Sequence, residues 1–421
     1  MSTGSRPRLL VIGGGFAGLW AVRALAAEAV DIVLIDRCNH HLFQPLLYQV
    51  ATAGLSAPAI AAPLRHILRR QRNVTVLLGE VREIDRAARV VHLADGSCER
   101  YDQLLVATGA THAYFGHDDW AAHAPGLKTL DDAMLIRARL LGAFERAEQC
   151  TDEAAQAPWL NFVIVGAGPT GVELAGTLAE IARHTLQSEF RRIDPTRARV
   201  LLIEAGPRVL PAFEPYLSER ARQQLERLGV EVLLNSPVQR IDAEGVDLKA
   251  RRIDARTVVW AAGVAASPLG THLGVALDRA GRVPVNADLS VPGAPDIYVA
   301  GDLAALMQDG KPVPGTAPAA KQMGRHVAEN LRRRWRGEPT REFRFRDVGA
   351  LATIGRMAAV LRMGPLRLTG LPAWWLWLAA HVYFLIGFRN RLSVLLDWAW
   401  AYWTYARSAR IIFGSGQDRS S

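Results

Sequence analysis

A chain of 421 residues with 50% hydrophobic and 22% charged content has enough apolar material for two or three cored domains, which excludes a disordered or fibrous protein. The formal charge of +9 favours an anionic partner, and nucleic acid, acidic lipid headgroups and phosphate-bearing cofactors all qualify. Cys38, Cys98 and Cys150 lie far apart, without CxxC or His-paired spacing, so neither a disulfide framework nor a zinc site is indicated.

The apolar run after the N-terminal MSTGSRPR is only about four residues long before glycines interrupt it, shorter than the roughly 7 to 15 of a secretory signal, and a cytoplasmic chain is expected. Leu9 to Ile12 reads as a strand, Leu19 to Ala27 as a helix and Asp31 to Ile35 as a second strand, together a βαβ unit. Between the first strand and the helix stands Gly13-Gly14-Gly15-x-x-Gly18. The first glycine permits the tight turn, Gly15 lets backbone approach a pyrophosphate, and Gly18 allows close packing of helix on strand. Asp36 closes the second strand, where a carboxylate can hydrogen-bond ribose hydroxyls, so this unit is expected to hold a dinucleotide. His40 and His41 follow, but adjacent residues point in different directions and no second cluster has ligand spacing, so no metal is expected.

Val74 to Val81, Arg89 to Leu93 and Tyr101 to Ala110 read as strands, and the polar, proline-ended Thr151 to Pro158 as a linker. The plan then repeats, with Asn161 to Val165 as strand, Gly166-x-Gly168-x-x-Gly171 as turn, Val172 to Arg183 as helix and Val200 to Ile203 as the second strand. Glu204 closes that strand; its charge attracts a free 2′-hydroxyl and repels a 2′-phosphate, favouring NADH over NADPH, although nearby Arg208 weakens the exclusion. Val230 to Asn235 and Arg256 to Val264 occupy the places of the earlier strands. The basic cluster Leu331 to Gly337 carries no nucleic-acid recognition motif and reads as a solvated or lipid-facing charge patch.

Beyond about Gly370 the composition changes. Gly370 to Phe388 is almost purely apolar, and six of the 11 tryptophans fall in the tail: Trp374, Trp375, Trp377, Trp398, Trp400 and Trp403. A monotopic anchor is expected: the aromatics suit the membrane-water boundary, while Arg389, Arg391, Arg407 and Arg410 can meet anionic headgroups. A true span and a buried core or homodimer interface are the alternatives.

These residues resemble the two-dinucleotide-binding-domain flavoprotein reductases, through the two glycine turns, ATG at Ala107 to Gly109, AAG at Ala261 to Gly263 and DIYVAGD at Asp296 to Asp302. The resemblance implies an α/β fold of two Rossmann-like domains. In the first, FAD is held tightly without a covalent bond by Gly13, Gly14, Gly15, Gly18, Asp36, Val81, Gly109, Gly301, Asp302 and Ala320. In the second, NADH is held by Gly166, Gly168, Gly171, Glu204 and Gly263. The paired cysteines of the disulfide-reducing members are missing, which leaves a quinone, a protein carrier or oxygen as acceptor.

A narrower resemblance is to type II NADH dehydrogenases, the single-chain NADH:quinone oxidoreductases of respiratory membranes, and three segments carry it. They are Asn39 to Leu55, the GPTGVELAGTLAE segment containing Glu173, and His381 to Ile412. The resemblance implies hydride transfer from NADH to FAD, then two electrons to a membrane quinone without proton pumping, at the cytoplasmic face of the membrane. It also implies a role for Glu173 in positioning nicotinamide or relaying a proton. The family's Ala-Gln-x-Ala-x-Gln segment reads here as APAAKQ, with Pro318 replacing the first glutamine and Ala320 and Gln322 retained, Gln322 on the quinone side. The rival readings are an NADH-dependent ferredoxin reductase and a membrane-bound redox scaffold. The expected division is 1–115 and 286–345 for FAD, 116–285 for NADH and 346–421 for the membrane-associated tail.

Overall fold

The computed structural model describes residues 6–404, 407 and 409–412. Residues 1–5 of the N-terminal segment, positions 405, 406 and 408 of the arginine-aromatic tail and everything beyond Ile412 lie outside the described residues. Two compact units emerge, and they do not follow consecutive segments. The first takes residues 1–42, 61–111 and 264–348; the second takes 43–60, 112–263 and 349–421.

In the first unit, strands Val74–Leu78, Asp31–Asp36, Arg8–Ile12, Gln103–Val106 and Ala294–Val299 lie side by side in that order, all parallel. Order reverses around the first strand, the point at which doubly wound sheets take their ligands. The helix Phe16–Ala24 crosses from the first strand to the second and packs on the helix Ala317–Trp335, where a Cβ on Gly324 would lie 2.0 Å from the Ala17 carbonyl oxygen. The stretch read as one strand over Val74 to Val81 is two, broken at Gly79, with Val81–Asp85 opening a separate three-stranded antiparallel sheet.

The second unit repeats the scheme with parallel strands Val230–Leu233, Arg199–Ile203, Asn161–Val165 and Thr257–Trp260, and its own antiparallel sheet over residues 238–254. Thr151 to Pro158 is not a linker. Asp152 accepts a hydrogen bond from Ala155 N at 2.8 Å and caps a helix, Glu153–Leu160, which runs through Pro158. The polarity that suggested a loop is that of an exposed helix face.

The C-terminal region adds an antiparallel sheet of Ala350–Gly355, Ala358–Met363 and Leu366–Thr369, then helices Leu371–Phe384 and Phe388–Thr404. The apolar run from Gly370 is therefore interrupted, at Gly387 with φ of +93°. At 1.5 Å per residue the two helices, of 14 and 17 residues, reach about 21 and 26 Å, short of a hydrocarbon core of roughly 30 Å. Among the described residues no helix is long and apolar enough to cross a membrane. Both helices turn apolar side chains outward. Ala373, Trp377 and His381, spaced by four, are buried, whereas Trp375, Tyr383, Phe388, Leu396, Trp400 and Trp403 are all more than half exposed.

Candidate functional site

Each glycine turn divides its glycines by what surrounds them. A Cβ on Gly13 would sit 2.4 Å from the Ala107 carbonyl oxygen, and one on Gly18 would sit 1.9 Å from that of Gly13, so the chain's own packing demands both. At Gly15 a Cβ would meet nothing within 4 Å. That open space at the start of the helix Phe16–Ala24 is the cradle a pyrophosphate requires. Asp36 stands beside it, with one carboxylate oxygen accepting from Gly14 N at 2.6 Å and the other from Cys38 N at 2.7 Å. Burial raises the Asp36 pKa, partly offset by these two N–H groups. The residues fit a dinucleotide.

His41, on the strand His40–Leu42, is buried with its Nδ1 2.9 Å from the Gly14 carbonyl oxygen, so it braces the turn from within the protein. Gly301 and Ala320 come together with Ala17, since a Cβ on Gly301 would lie 3.5 and 3.6 Å from theirs. Asp302 sits against Gly315 in the same unit, and Val81 is buried. Gly109, at φ of +67°, accepts a hydrogen bond from Ser267 N. Gln322 spends its amide on one partner, donating to the Arg346 carbonyl at 2.9 Å and accepting from Arg346 N at 2.9 Å.

In the second unit a Cβ on Gly166 would lie 2.5 Å from Ala262 Cα, one on Gly171 1.9 Å from Gly166 O, and one on Gly168 would meet nothing within 4 Å. Glu204 accepts from Ala167 N at 2.7 Å and from Gly206 N at 2.8 Å, the relation Asp36 has to its own turn. Arg208 donates to Pro211 O at 3.0 Å. Gly263 lies against Phe115, whose ring would be 2.5 Å from an added Cβ.

The helix opening at Gly168 is Pro169–Glu180, and Glu173 is its fifth residue. It therefore stands in the second turn and not, as expected, in the first, because the helix begins two residues before Gly171. Gly176 lets this helix touch the strand Ala350–Gly355, where a Cβ would fall 1.6 Å from Ile354 O. Glu173 is 8% exposed, and among the described residues its carboxyl accepts one hydrogen bond, from Thr353 N at 3.4 Å. Burial pushes its pKa well above the ordinary carboxyl range.

A cavity of about 120 Å³ opens beside it, lined by residues from all three resembling segments. Tyr48, Gln49 and Gly54 come from the first, Thr177 and Glu180 from the glutamate helix, and Trp398, Tyr402 and Arg407 from the tail, joined by Thr353, Arg356, Trp374 and Trp377. Trp398 Nε1 donates to Gln49 Oε1 at 2.7 Å, and Gln49 Nε2 donates to the Tyr48 hydroxyl at 2.9 Å. Tyr48 is buried, and both burial and the nearby Glu173 raise its pKa. The Trp377 indole N–H is buried without a hydrogen-bond partner among the described residues. Arg407 and Glu180 pair at 3.3 Å. Arg407, expected at a lipid surface, is thus turned inward, its side chain 13% exposed, while Arg410 pairs with Glu189.

Around this cavity the sequence gives a chemical role to Glu173 alone and reads Trp374, Trp377, Trp398 and Arg407 as parts of a membrane anchor. Thr177 and Glu180 follow Glu173 at four and seven residues, one helical face, and that spacing was the signal available.

A family model described as pyridine nucleotide-disulphide oxidoreductase matches residues 7–324. The type II NADH:quinone oxidoreductase Ndh of Mycobacterium tuberculosis is 47% identical, covering 93% of this chain and 87% of its own length. The type II NADH:quinone oxidoreductase of Staphylococcus aureus is 31% identical, covering 83% of this chain and 88% of its own length. The structure of NDH2 from Plasmodium falciparum in complex with NADH superposes with a TM-score of 0.88 at 19% identity, over 97% of this chain and 100% of that one, a likeness of fold.

Proposed function

We propose that this chain, which belongs to the type II NADH:quinone oxidoreductases, oxidises NADH and passes two electrons by way of FAD to a membrane quinone without moving protons across the membrane. FAD, the standard cofactor of the family, accepts hydride and releases electrons when bound. The protein supplies the rest. Gly15 and the N-terminus of the helix Phe16–Ala24 take the FAD pyrophosphate, with Asp36 on the ribose and Gly301, Asp302 and Ala320 at the flavin end. Gly168 and the next helix take that of NADH, with Glu204 on the ribose. Segments 1–115 with 286–345, 116–285 and 346–421 then serve FAD, NADH and membrane respectively.

The observation that carries the acceptor reading is the convergence of the three segments on one cavity. In its wall is the Trp377 N–H, a donor without a partner among the described residues, and behind the wall residue Thr353 is the Glu173 carboxyl, whose pKa burial pushes well above the ordinary range. A quinone carbonyl needs the first as a donor and the second as a proton source. Gln322 serves the quinone side only by releasing the Arg346 backbone, so its contribution is smaller than that of the cavity residues.

The outward-facing Phe388, Leu396, Trp400 and Trp403 lie on an anionic lipid surface at the cytoplasmic face of the membrane, with exposed Arg389 and Arg391 among the headgroups. A homodimer is compatible with this arrangement. The test is turnover of the purified, FAD-loaded protein with NADH against a panel of quinones and a ferredoxin. Quinone-dependent NADH oxidation is expected, and turnover with the ferredoxin alone would reject the proposal.

A further inference from the structure

A second cavity, of about 360 Å³, is lined by Leu141, Phe144, Glu145, Leu186, Glu189, Phe190, Arg407, Arg410 and Ile412. Arg407 belongs to the walls of both cavities. On the outer side Glu145 and Glu189 are solvent-exposed, Glu189 pairs with Arg410, and Arg410 Nε donates to the Arg407 carbonyl at 2.9 Å. On the inner side Arg407 meets Glu180, whose carboxylate also accepts from Arg356 N, and Arg356 lies 4.1 Å over the Tyr402 ring. Two ion pairs are therefore arranged in series, one at the surface and one 13–14% exposed at the boundary between the cavities.

The reaction as proposed above is NADH + H⁺ + quinone → NAD⁺ + quinol, so each turnover draws one proton from water. Its destination is walled by Trp374, Trp377 and Trp398. Glu173 can give a proton to the acceptor, but as a carboxylate in a buried site it must then be recharged. Along the helix Pro169–Glu180 one polar face runs from Glu173 through Thr177 to Glu180, the last two lining the cavity. Seven residues span about 10.5 Å, and Thr177, whose hydroxyl donates to the Glu173 carbonyl at 2.7 Å, stands between the two carboxyl groups.

We propose that the Glu180–Arg407 pair is the inlet through which the proton consumed in quinone reduction passes from the Glu145–Glu189 cavity to Glu173. Arg407 holds the Glu180 side chain at the boundary between the cavities, and the proton passes from there inward along Thr177. Neither residue touches the acceptor; both act through Glu173. The inference rests on the quinone reading. The charged and titratable groups around the inlet are Glu173 on the same helix, Tyr48 from residues 43–60, Arg356 from the C-terminal sheet, and Arg410 with Glu189 on the outer side.

The experiment uses the full-length, FAD-loaded protein in stopped-flow, where bleaching of the flavin by NADH and its recolouring by a short-tailed quinone are read separately. Glu180→Gln keeps the shape of the side chain and cannot cycle a proton. It is expected to bleach at the unsubstituted rate but to recolour about 10- to 100-fold more slowly at about pH 8, a deficit that shrinks toward about pH 6 and is relieved by a small weak acid such as acetate. Arg407→Lys, which keeps the positive charge, is expected to retain most of the unsubstituted pH profile. Recolouring of Glu180→Gln at the unsubstituted rate across that range would overturn the inlet, as would a deficit equal at every pH, the mark of structural damage. An unsubstituted protein that quinones do not recolour would overturn the quinone reading itself, and the inlet with it.

Discussion

Thr353 offers Glu173 its backbone N–H across 3.4 Å, the one hydrogen bond the buried carboxyl receives among the described residues, and so long a bond does not offset the loss of water. The folded protein therefore holds a proton on Glu173 where the unfolded chain, at about pH 4.3, begins to release it. Because the native state binds more protons, stability falls as pH rises from that point until the raised folded value is passed. Glu173→Gln removes this loss. The variant should be more stable than the unsubstituted protein near neutrality, by about 1–3 kcal/mol, with the gap closing below about pH 4.3; denaturant unfolding at several pH values measures it. An equal stability difference at every pH would show that the carboxyl is ionised in the fold.

The two kinds of glycine make opposite predictions. Gly15→Ala adds a methyl where there is open space, so the chain should fold normally yet retain less flavin, read as the flavin-to-protein absorbance ratio after purification. Gly18→Ala places that methyl 1.9 Å from the Gly13 carbonyl oxygen and should lower stability by several kcal/mol, about the cost of an overpacked core, with or without flavin. Asp36→Ala should lose flavin like Gly15→Ala. Full retention of flavin by both Gly15→Ala and Asp36→Ala would remove this turn from the FAD site.

Discrimination between the nicotinamide cofactors should depend on Glu204. Arg208 donates to Pro211 O and not to Glu204, so no ion pair among the described residues cancels the carboxylate's repulsion of a 2′-phosphate. Glu204→Gln is expected to narrow the NADH-to-NADPH ratio of kcat/KM about tenfold, or about 1.4 kcal/mol. A native protein that uses both equally well would contradict the assignment.

Burial keeps His381 neutral, lowering its pKa to about 4. Its unfolded value is near 6.5, so the unfolded chain binds the extra proton first, and stability present above about pH 6.5 is lost as pH falls toward 4. The contribution is at most about 3 kcal/mol. His381→Phe, which can fill the space beside Trp377 and Phe43, should lose less stability than the unsubstituted protein between about pH 7 and 5 in denaturant melts. Parallel pH profiles would mean that the imidazole titrates in the fold as it does in the unfolded chain.

Removing the tail is a poorer test of membrane attachment than the apolar run suggested, because Trp377 and Trp398 wall the cavity. The triple change Leu396→Glu, Trp400→Glu and Trp403→Glu touches only exposed positions. It should leave flavin content intact and reduce sedimentation with anionic vesicles more than tenfold, since each side chain forfeits about 1 kcal/mol or more of apolar burial. Unchanged sedimentation would place the anchor elsewhere.

What the sequence disclosed and what it hid divide by contact range. The turns at Gly13 and Gly166 are legible because strand, glycines, helix and closing acid lie within about forty residues and obey local geometry. The break of the Val74 strand at Gly79 and the helix over Glu153–Leu160 were misread locally, where a single glycine and a single cap decide. The cavity is of another kind. Gln49 and Trp398 meet across 349 positions, and neither residue alone carries a signal of the other. Likewise Arg407 looks like one more tail cation until Glu180 is placed beside it.

The helix Pro169–Glu180 begins at the glycine turn and ends in the cavity wall, and Gly176 seats it directly against Ile354. On the function proposed above it is a ruler of fixed length, about 18 Å over its 12 residues, with one substrate's anion at the first mark and the other's proton supply at the last. A single-residue insertion along it would turn Glu180 about 100° away from Arg407 while leaving the glycine turn untouched. Substitutions in this stretch keep the count and insertions break it, so a chain could retain every glycine of its nucleotide fingerprint and still lose the acceptor.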